Sequence, residues 1–314
     1  MDYAAAFAPA DLALTELLRR LDAEGYDFVT PTPLTQARVL RRPDQQVGRS
    51  LRDILGWSRP FAAEEVPAWL LEALRSAGAL TPCGDRLRSA IRVSRVHGRL
   101  FLHSAYPAED EEAVFLGPDS YRFADFLIRE LTGQEDGLVV DVGGGGGVGA
   151  IVAAARAPGA ELLLTDVNPT ALRYARINAA HAGVRLRTLR SDGLAEAPDR
   201  LQAVLANPPY VASTDKIYSD GGDMHGGAIS LAWARAALGK LAPGGRLLLY
   251  TGSAILVGGR DALHDALADL AAAEAAGFQY REIDPDVFGE ELDRDAYADV
   301  ERIAAVGCVI ARAG

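Results

Sequence analysis

Cysteine is scarce in this sequence, with two in 314 residues. Cys83 and Cys308 lie far apart and in no metal-site spacing, so neither a disulfide framework nor a metal site is predicted. No apolar run reaches the roughly 20 residues that a membrane span needs. The first ten residues contain Asp2 and no basic residue, which is unlike a signal peptide. These absences predict a cytoplasmic protein without a membrane partner.

Basic residues are outnumbered by acidic ones, 32 to 43, and the net charge is unevenly distributed along the chain. Residues 1–115 hold 14 arginines and 16 acidic residues; subtracting that net charge of -2 from the total of -11 leaves -9 for residues 116–314. An acidic second part disfavours a general nucleic-acid groove, which depends on clustered cations. One stretch differs, because it has five arginines and no acid: Arg86, Arg88, Arg92, Arg95 and Arg99. A solvated strand face and a basic patch for an anionic partner both fit it.

Residues 1–115 show helical patterns followed by a hairpin pattern. One helix is predicted between a cap at Asp11 and a stop at Gly25, and a second from Pro67 to Gly78. Two short apolar strands flank His97-Gly98 and predict a hairpin. We therefore predict a smaller, mainly helical N-terminal domain over residues 1–115, serving substrate recognition or dimerisation. A winged-helix-like module is one arrangement that these elements allow.

Residues 116–314 follow a different pattern, in which short apolar strands alternate with helices. The strand runs are nearly continuous, as expected for parallel strands covered on both faces. Their spacing leaves room for crossover helices, which predicts a doubly wound α/β domain. The runs lie at residues 138–140, 162–164, 204–206 and 247–249.

A glycine-rich turn follows the first of these strands. Asp141-Val142 is followed by five consecutive glycines, and side-chain-free positions let the backbone approach a nucleotide-like ligand. The same loop satisfies the G-x-G-x-x-G pattern, and Asp166 follows it at the distance of a ribose-binding acid. A dinucleotide cofactor therefore stays open at this point. Asp141 favours a ligand that carries an ammonium group, because its charge would repel a pyrophosphate.

Acidic residues also follow the next two strands. Asp166 ends its strand, beside Val167, where its carboxylate can accept from both ribose hydroxyls. Asn168 is predicted to cap the next helix. Asp192, followed by Gly193, stands where it can accept from an adenine amino group.

The fourth strand ends in Asn207-Pro208-Pro209-Tyr210. Each proline fixes the backbone and removes an N–H donor, which leaves carbonyl groups free to accept. The Asn207 amide and the Pro208 carbonyl can accept both hydrogens of an –NH2 group, and Tyr210 can stack on a planar substrate. Such a corner catalyses by positioning a nitrogen, which requires no strong base.

Together these motifs resemble the class I S-adenosylmethionine-dependent methyltransferases of the HemK and small methyltransferase domain group. The resemblance implies a seven-stranded Rossmann-like domain over residues 116–314, with S-adenosylmethionine as cofactor and S-adenosylhomocysteine as product. It implies catalytic roles for Asn207, Pro208, Pro209 and Tyr210. The implied cofactor-binding residues are Asp141, Gly143, Gly145, Gly147, Asp166, Val167, Asp192, Gly193 and Asn207.

Substrate contacts are predicted at Tyr121, near the start of this domain, at Tyr210, and in the glycine-rich loop that contains Asp220 and His225. We predict an N-methyltransferase acting on an amino or amide nitrogen of a small molecule or a protein side chain. An RNA base amino methyltransferase that docks through Arg86–Arg99 is the first alternative. An NAD-dependent oxidoreductase and a non-enzymatic cofactor-binding scaffold are remote ones. The oligomeric state stays open, a homodimer included.

Overall fold

A computed structural model describes residues 7–108, 110–212 and 221–314. The helices are α1 Pro9–Ala23, α2 Pro33–Leu40, α3 Leu51–Leu55, α4 Ala68–Ser76, α5 Pro118–Glu130, α6 Val148–Arg156, α7 Pro169–His181, α8 Ala228–Lys240 and α9 Ala262–Ala273. The strands are β1 Leu80–Cys83, β2 Arg86–Ser89, β3 Ile91–Val96, β4 Arg99–Ser104, β5 Leu138–Val142, β6 Glu161–Asp166, β7 Arg187–Arg190, β8 Leu201–Ala206, β9 Leu241–Leu256, β10 Arg260–Asp261, β11 Gly277–Asp284 and β12 Val300–Ala311.

The chain forms two compact units that interleave along the sequence. The N-terminal unit comprises Met1–Ala124, Gly145–Ile151 and Asn168–Arg187. The sheet unit comprises Asp125–Gly144, Val152–Val167 and Thr188–Gly314. The domain division at residue 115 stays a prediction.

The N-terminal unit has a core built around α1. Four of its leucines recur at helical spacing and are at most 1% exposed: Leu14, Leu17, Leu18 and Leu21. Three residues of α7 belong to the same cluster: Ala171, Tyr174 and Ile177. The predicted helix stop is confirmed, since Gly25 follows α1 with a φ of 68°. The predicted cap is wrong: Ala8 is the N-cap, because Pro9 suits the first helical position. Asp11 lies inside the first turn, with its Oδ1 2.6 Å from Nε of Arg173.

The predicted hairpin is confirmed as β3 and β4. Val96 pairs with Arg99, so the turn consists of His97 and Gly98 alone. Both turn residues have positive φ, of 45° and 78°, which matches the twist of the flanking strands. The N-terminal region is thus helical with the expected small antiparallel hairpin, and β1 and β2 form a second hairpin that was not predicted. Its likeness to a winged helix stays a prediction.

The sheet unit contains the predicted central sheet. Seven strands run in the order β11-β12-β9-β8-β5-β6-β7, and the short β10 pairs with β9. Strand β5 pairs in parallel with β6 and β8, and β8 pairs in parallel with β9, whereas β12 and β11 close one side as an antiparallel pair. The apolar strand predictions are confirmed. Parallel strands bring their carboxyl ends to one edge, and this edge carries the predicted site.

A buried ion pair stabilises the opposite region of the sheet unit. The carboxylate of Glu135 accepts hydrogen bonds from Thr132, Gly133 and Arg246, the last at 2.6 Å. Burial raises the pKa of Glu135, but these hydrogen bonds outweigh burial and hold the pKa below its usual value. Its folded-state pKa is depressed, so its stabilisation is present above the unfolded pKa and is lost as pH falls through the folded pKa.

We expect Glu135→Gln to lower the free energy of unfolding by about 3 kcal/mol at pH 7, because Arg246 then loses its buried partner. The difference from the wild type should shrink as pH falls below about 4. Urea unfolding between pH 3 and 7 measures both effects. Glu72→Gln, at an exposed position, is the matched control. A loss for Glu135→Gln no larger than that of the control would contradict the expectation.

Candidate active site

The first part of the site is the glycine loop, residues 143–147, which joins β5 to α6. Asp141 near the end of β5 is only 2% exposed. A Cβ added to Gly144 would lie 2.8 Å from Oδ2 of Asp141, so the loop backbone packs on this carboxylate. Gly143, Gly145 and Gly147 have φ values of 59°, 53° and 84°, a region that favours glycine.

The second part lies at the end of β6. The N–H of Gly144 donates to the Thr165 carbonyl at 3.1 Å, and the N–H of Ser191 donates to the Asp166 carbonyl at 3.1 Å. The backbone of Thr165 and Asp166 is therefore hydrogen-bonded on one side to the segment that follows β5 and on the other to the segment that follows β7. Val167 beside it is 55% exposed, and its role in cofactor binding stays a prediction.

The third part is the Asp192 loop, residues 191–194, which follows β7. Asp192 is exposed, whereas Leu194 is buried. Gly193 between them has a φ of 54°, and a Cβ there would lie 3.2 Å from Nε1 of Trp233. Both the backbone conformation and the neighbouring indole therefore favour glycine at this position.

The Asn-Pro-Pro-Tyr corner directly follows β8. Asn207 and Pro209 are partly exposed, while Pro208 and Tyr210 are buried. The Tyr210 ring lies on Gly252 of β9, where a Cβ would come within 2.2 Å of the ring. It also meets the Phe288 ring edge-on, at 5.7 Å between centroids. The Tyr210 ring is thus held by protein contacts, and its role in stacking on a substrate stays a prediction.

The glycine-rich loop after this corner is described from residue 221, so Asp220 lies outside the described residues. His225 has a φ of 54° and places Nε2 2.9 Å from Oδ1 of Asp299. This hydrogen bond lowers the pKa of Asp299. Tyr297 accepts a hydrogen bond from the N–H of Ala212 at 2.7 Å. The imidazole that was predicted to contact a substrate is therefore paired with Asp299.

Tyr121 belongs to the N-terminal unit, and its hydroxyl accepts a hydrogen bond from the N–H of Thr30 at 3.0 Å. Burial raises the pKa of Tyr121. Thr30 in turn bonds Ser94, which bonds the buried His103. Tyr121 thus joins a polar network of its own unit, and substrate binding by Tyr121 stays a prediction.

One of the five arginines between residues 86 and 99 does not lie on the surface. Arg92 is 5% exposed and donates to the Gly56 carbonyl and to Gln36. Arg95 pairs with Asp22, and Arg99 donates to the Ala182 carbonyl. The predicted docking surface is therefore wrong at Arg92, because that guanidinium is buried.

Two residues that the sequence did not single out support the loops. Asn178 in α7 is fully buried and bonds both backbone polar groups of Leu102 in β4. Its Nδ2 also donates to the Gly146 carbonyl at 2.9 Å. An asparagine on the apolar face of α7 is the signal that could have revealed it. Trp233 in α8 is the second such residue.

The described residues include no group of three potential metal-ligating side chains. Both cysteines have free thiols. Among the same residues, no helix is long and apolar enough to cross a membrane.

The residues at this edge suit S-adenosylmethionine. Asp141, Asp166 and Asp192 put carboxylates at or just beyond the carboxyl ends of three neighbouring strands, β5, β6 and β7. Such a set accepts hydrogen bonds from ammonium, hydroxyl and amino groups and disfavours a pyrophosphate. Gly144 is closely packed, because a Cβ there would lie 2.6 Å from the Leu164 side chain and 2.8 Å from Oδ2 of Asp141.

Comparison with known proteins agrees with this geometry. The methyltransferase small domain family matches residues 111–276. The release factor glutamine methyltransferase of Deinococcus radiodurans is 30% identical over 296 residues, covering 88% of this chain and 94% of the relative. That of Bordetella pertussis is 32% identical over 234 residues, covering 70% and 82%. A Pyrococcus horikoshii crystal structure shares the fold, with a TM-score of 0.53 at 11% identity over 97% of this chain and all of that one.

The family match spans more than half of the chain, and both relatives are covered over most of their length. The cofactor is S-adenosylmethionine. The chain belongs to the methyltransferase small domain family, as a class I S-adenosylmethionine-dependent N-methyltransferase of the HemK group.

Proposed function

We propose that this enzyme methylates the side-chain amide nitrogen of a glutamine in a peptide release factor. The Asn-Pro-Pro-Tyr corner that directly follows β8 carries the proposal, because the Asn207 and Pro208 carbonyl groups can accept both hydrogens of an amide nitrogen. Similarity to release factor glutamine methyltransferases supports this acceptor. It extends well beyond the matched family domain, to 88% of the chain.

The acceptor side of the mechanism follows from the chemistry of the corner. S-adenosylmethionine supplies an electrophilic methyl group on a positively charged sulfur. The Asn207 side-chain carbonyl and the Pro208 main-chain carbonyl accept the two hydrogens of the glutamine amide, which directs the nitrogen lone pair away from them. Neither proline carries an N–H that could compete for these acceptors. Alignment of this kind contributes roughly 7–11 kcal/mol to a reaction between well-placed partners.

The cofactor side uses the carboxylates at the sheet edge. Asp166 would accept hydrogen bonds from the ribose hydroxyls, Asp192 from the adenine amino group, and Asp141 from the ammonium group. Val167, which is 55% exposed, and Gly193 would flank the adenine ring, and the positive-φ glycines at 143, 145 and 147 would let the ligand approach the backbone closely.

A protein acceptor fits the charge of this chain better than RNA does. Residues 116–314 have a net charge of -9, and Arg92 and Arg99 of the arginine stretch donate to groups of their own unit. A neutral glutamine amide needs no cationic groove. A release factor acts in the cytoplasm, so we also propose that location. Tyr121, Asp220 and His225 stay proposed substrate contacts.

The proposal is tested by label transfer. The enzyme is incubated with methyl-tritiated S-adenosylmethionine and either a purified bacterial release factor or purified ribosomal RNA. We expect label in the release factor, within one glutamine-containing peptide, and none in RNA. A release factor with that glutamine replaced by glutamate is the matched control and should take up no label. Label in RNA with none in the release factor would overturn the proposal.

A further inference from the structure

Trp233 lies beneath two of the loops at the carboxyl edge of the sheet. A Cβ added to Gly143 would lie 2.4 Å from its Cη2, so the indole touches the start of the glycine loop. A Cβ added to Gly193 would lie 3.2 Å from its Nε1, so the opposite edge of the indole touches the Asp192 loop. One side chain therefore contacts both loops.

The two loops are separated by one intervening strand. Gly143 follows β5 and Gly193 follows β7, with β6 between them in the sheet. Two strand spacings amount to about 10 Å. An indole that contacts one loop with its six-membered ring and the other with its five-membered ring bridges most of this gap.

Helix α8 is attached to the sheet independently of this indole. The buried Ser230 hydroxyl lies 2.7 Å from the Thr251 hydroxyl of β9, and Leu238 on α8 is 5% exposed within the apolar core of the sheet unit. Trp233 is only partly buried. Shortening Trp233 should therefore release the loops while leaving the helix in place.

We infer that Trp233 is a positioning residue that sets the distance between the glycine loop and the Asp192 loop. The inference rests on the proposed function, which assigns the amino-acid end of the cofactor to Asp141 beside the first loop and the adenine to the second. A ligand that bridges both loops binds best when their spacing is preformed, because no binding energy is then spent on ordering them.

If Trp233 sets the distance between the two loops, its loss should weaken a ligand that contacts both loops more than a ligand that contacts one. S-adenosylhomocysteine reaches both loops, whereas methylthioadenosine lacks the amino-acid part assigned to Asp141. Isothermal titration calorimetry measures Kd for both ligands with the wild type, Trp233→Ala and Trp233→Phe. We expect Trp233→Ala to weaken S-adenosylhomocysteine binding by about 10- to 100-fold, methylthioadenosine binding clearly less, and Trp233→Phe to fall between.

Arg235→Ala is the matched control, since it shortens a large side chain that lies exposed on the same helix. Its two Kd values should stay within about twofold of the wild type. Unchanged S-adenosylhomocysteine binding by Trp233→Ala, or an equal loss for both ligands, would overturn the inference. Asp166→Ala is measured alongside: if it binds S-adenosylhomocysteine normally, the assigned cofactor site itself is wrong.

Discussion

Replacing Asn207 with alanine should lower the methyl-transfer rate by about 10²–10³-fold, the range found when one preorganised polar group of a transition-state site is removed. Asn207 is partly exposed at the end of β8 and has no part in the sheet ladder. Its loss should therefore leave the fold intact, and Kd for S-adenosylhomocysteine should change much less than the rate. Single-turnover transfer to the release factor and calorimetry measure the two quantities.

Gln202→Ala is the matched control, because it removes an amide side chain from the other end of the same strand. This variant should retain the wild-type rate. If Asn207→Ala transferred methyl groups at the wild-type rate, the acceptor role of the Asn-Pro-Pro-Tyr corner would be refuted.

The second large effect is expected at Asp141. This carboxylate is buried against the backbone of Gly144, and asparagine has nearly the same shape. Asp141→Asn should therefore keep the packing and remove the charge that we assign to the ammonium group of the cofactor. A hydrogen bond to a charged group contributes about 1.5–3 kcal/mol, so affinity for S-adenosylhomocysteine should fall about 10- to 100-fold.

Methylthioadenosine separates this effect from a general disturbance of the site, because it carries no ammonium group. Its Kd should be the same for Asp141→Asn and the wild type. Asp265→Asn, on an exposed turn of α9, should alter neither Kd. Equal affinity of Asp141→Asn and the wild type for S-adenosylhomocysteine would argue against the assigned orientation of the cofactor.

The sheet and the edge that carries the site were predictable from the sequence. Four apolar runs end in or near polar residues, and parallel strands necessarily bring those ends together. Asp141, Asp166 and Asn207 therefore reach one edge without any knowledge of their contacts. The cap at Asn168 was also predictable, because asparagine is a preferred N-cap residue. The structure confirms it, since the Asn168 side chain accepts hydrogen bonds from the N–H groups of Thr170 and Ala171.

Contacts between distant segments were not predictable. Asp11 has the composition of a helix cap, but it pairs with Arg173, which lies 162 positions away. Arg92 lies in a sequence stretch rich in arginine, which suggests an exposed position, yet its guanidinium is buried and donates to the Gly56 carbonyl. Helical periodicity places Trp233 on one side of α8, but only the tertiary structure determines which loops it touches.

A crystal structure of the enzyme with S-adenosylhomocysteine would test the central claim most directly. The account predicts the ligand at the carboxyl edge of the sheet, with Asp166 within about 2.6–3.2 Å of the ribose hydroxyls. It also predicts that the sulfur faces the carbonyl groups of Asn207 and Pro208. A ligand bound elsewhere, or a sulfur turned away from that corner, would contradict it.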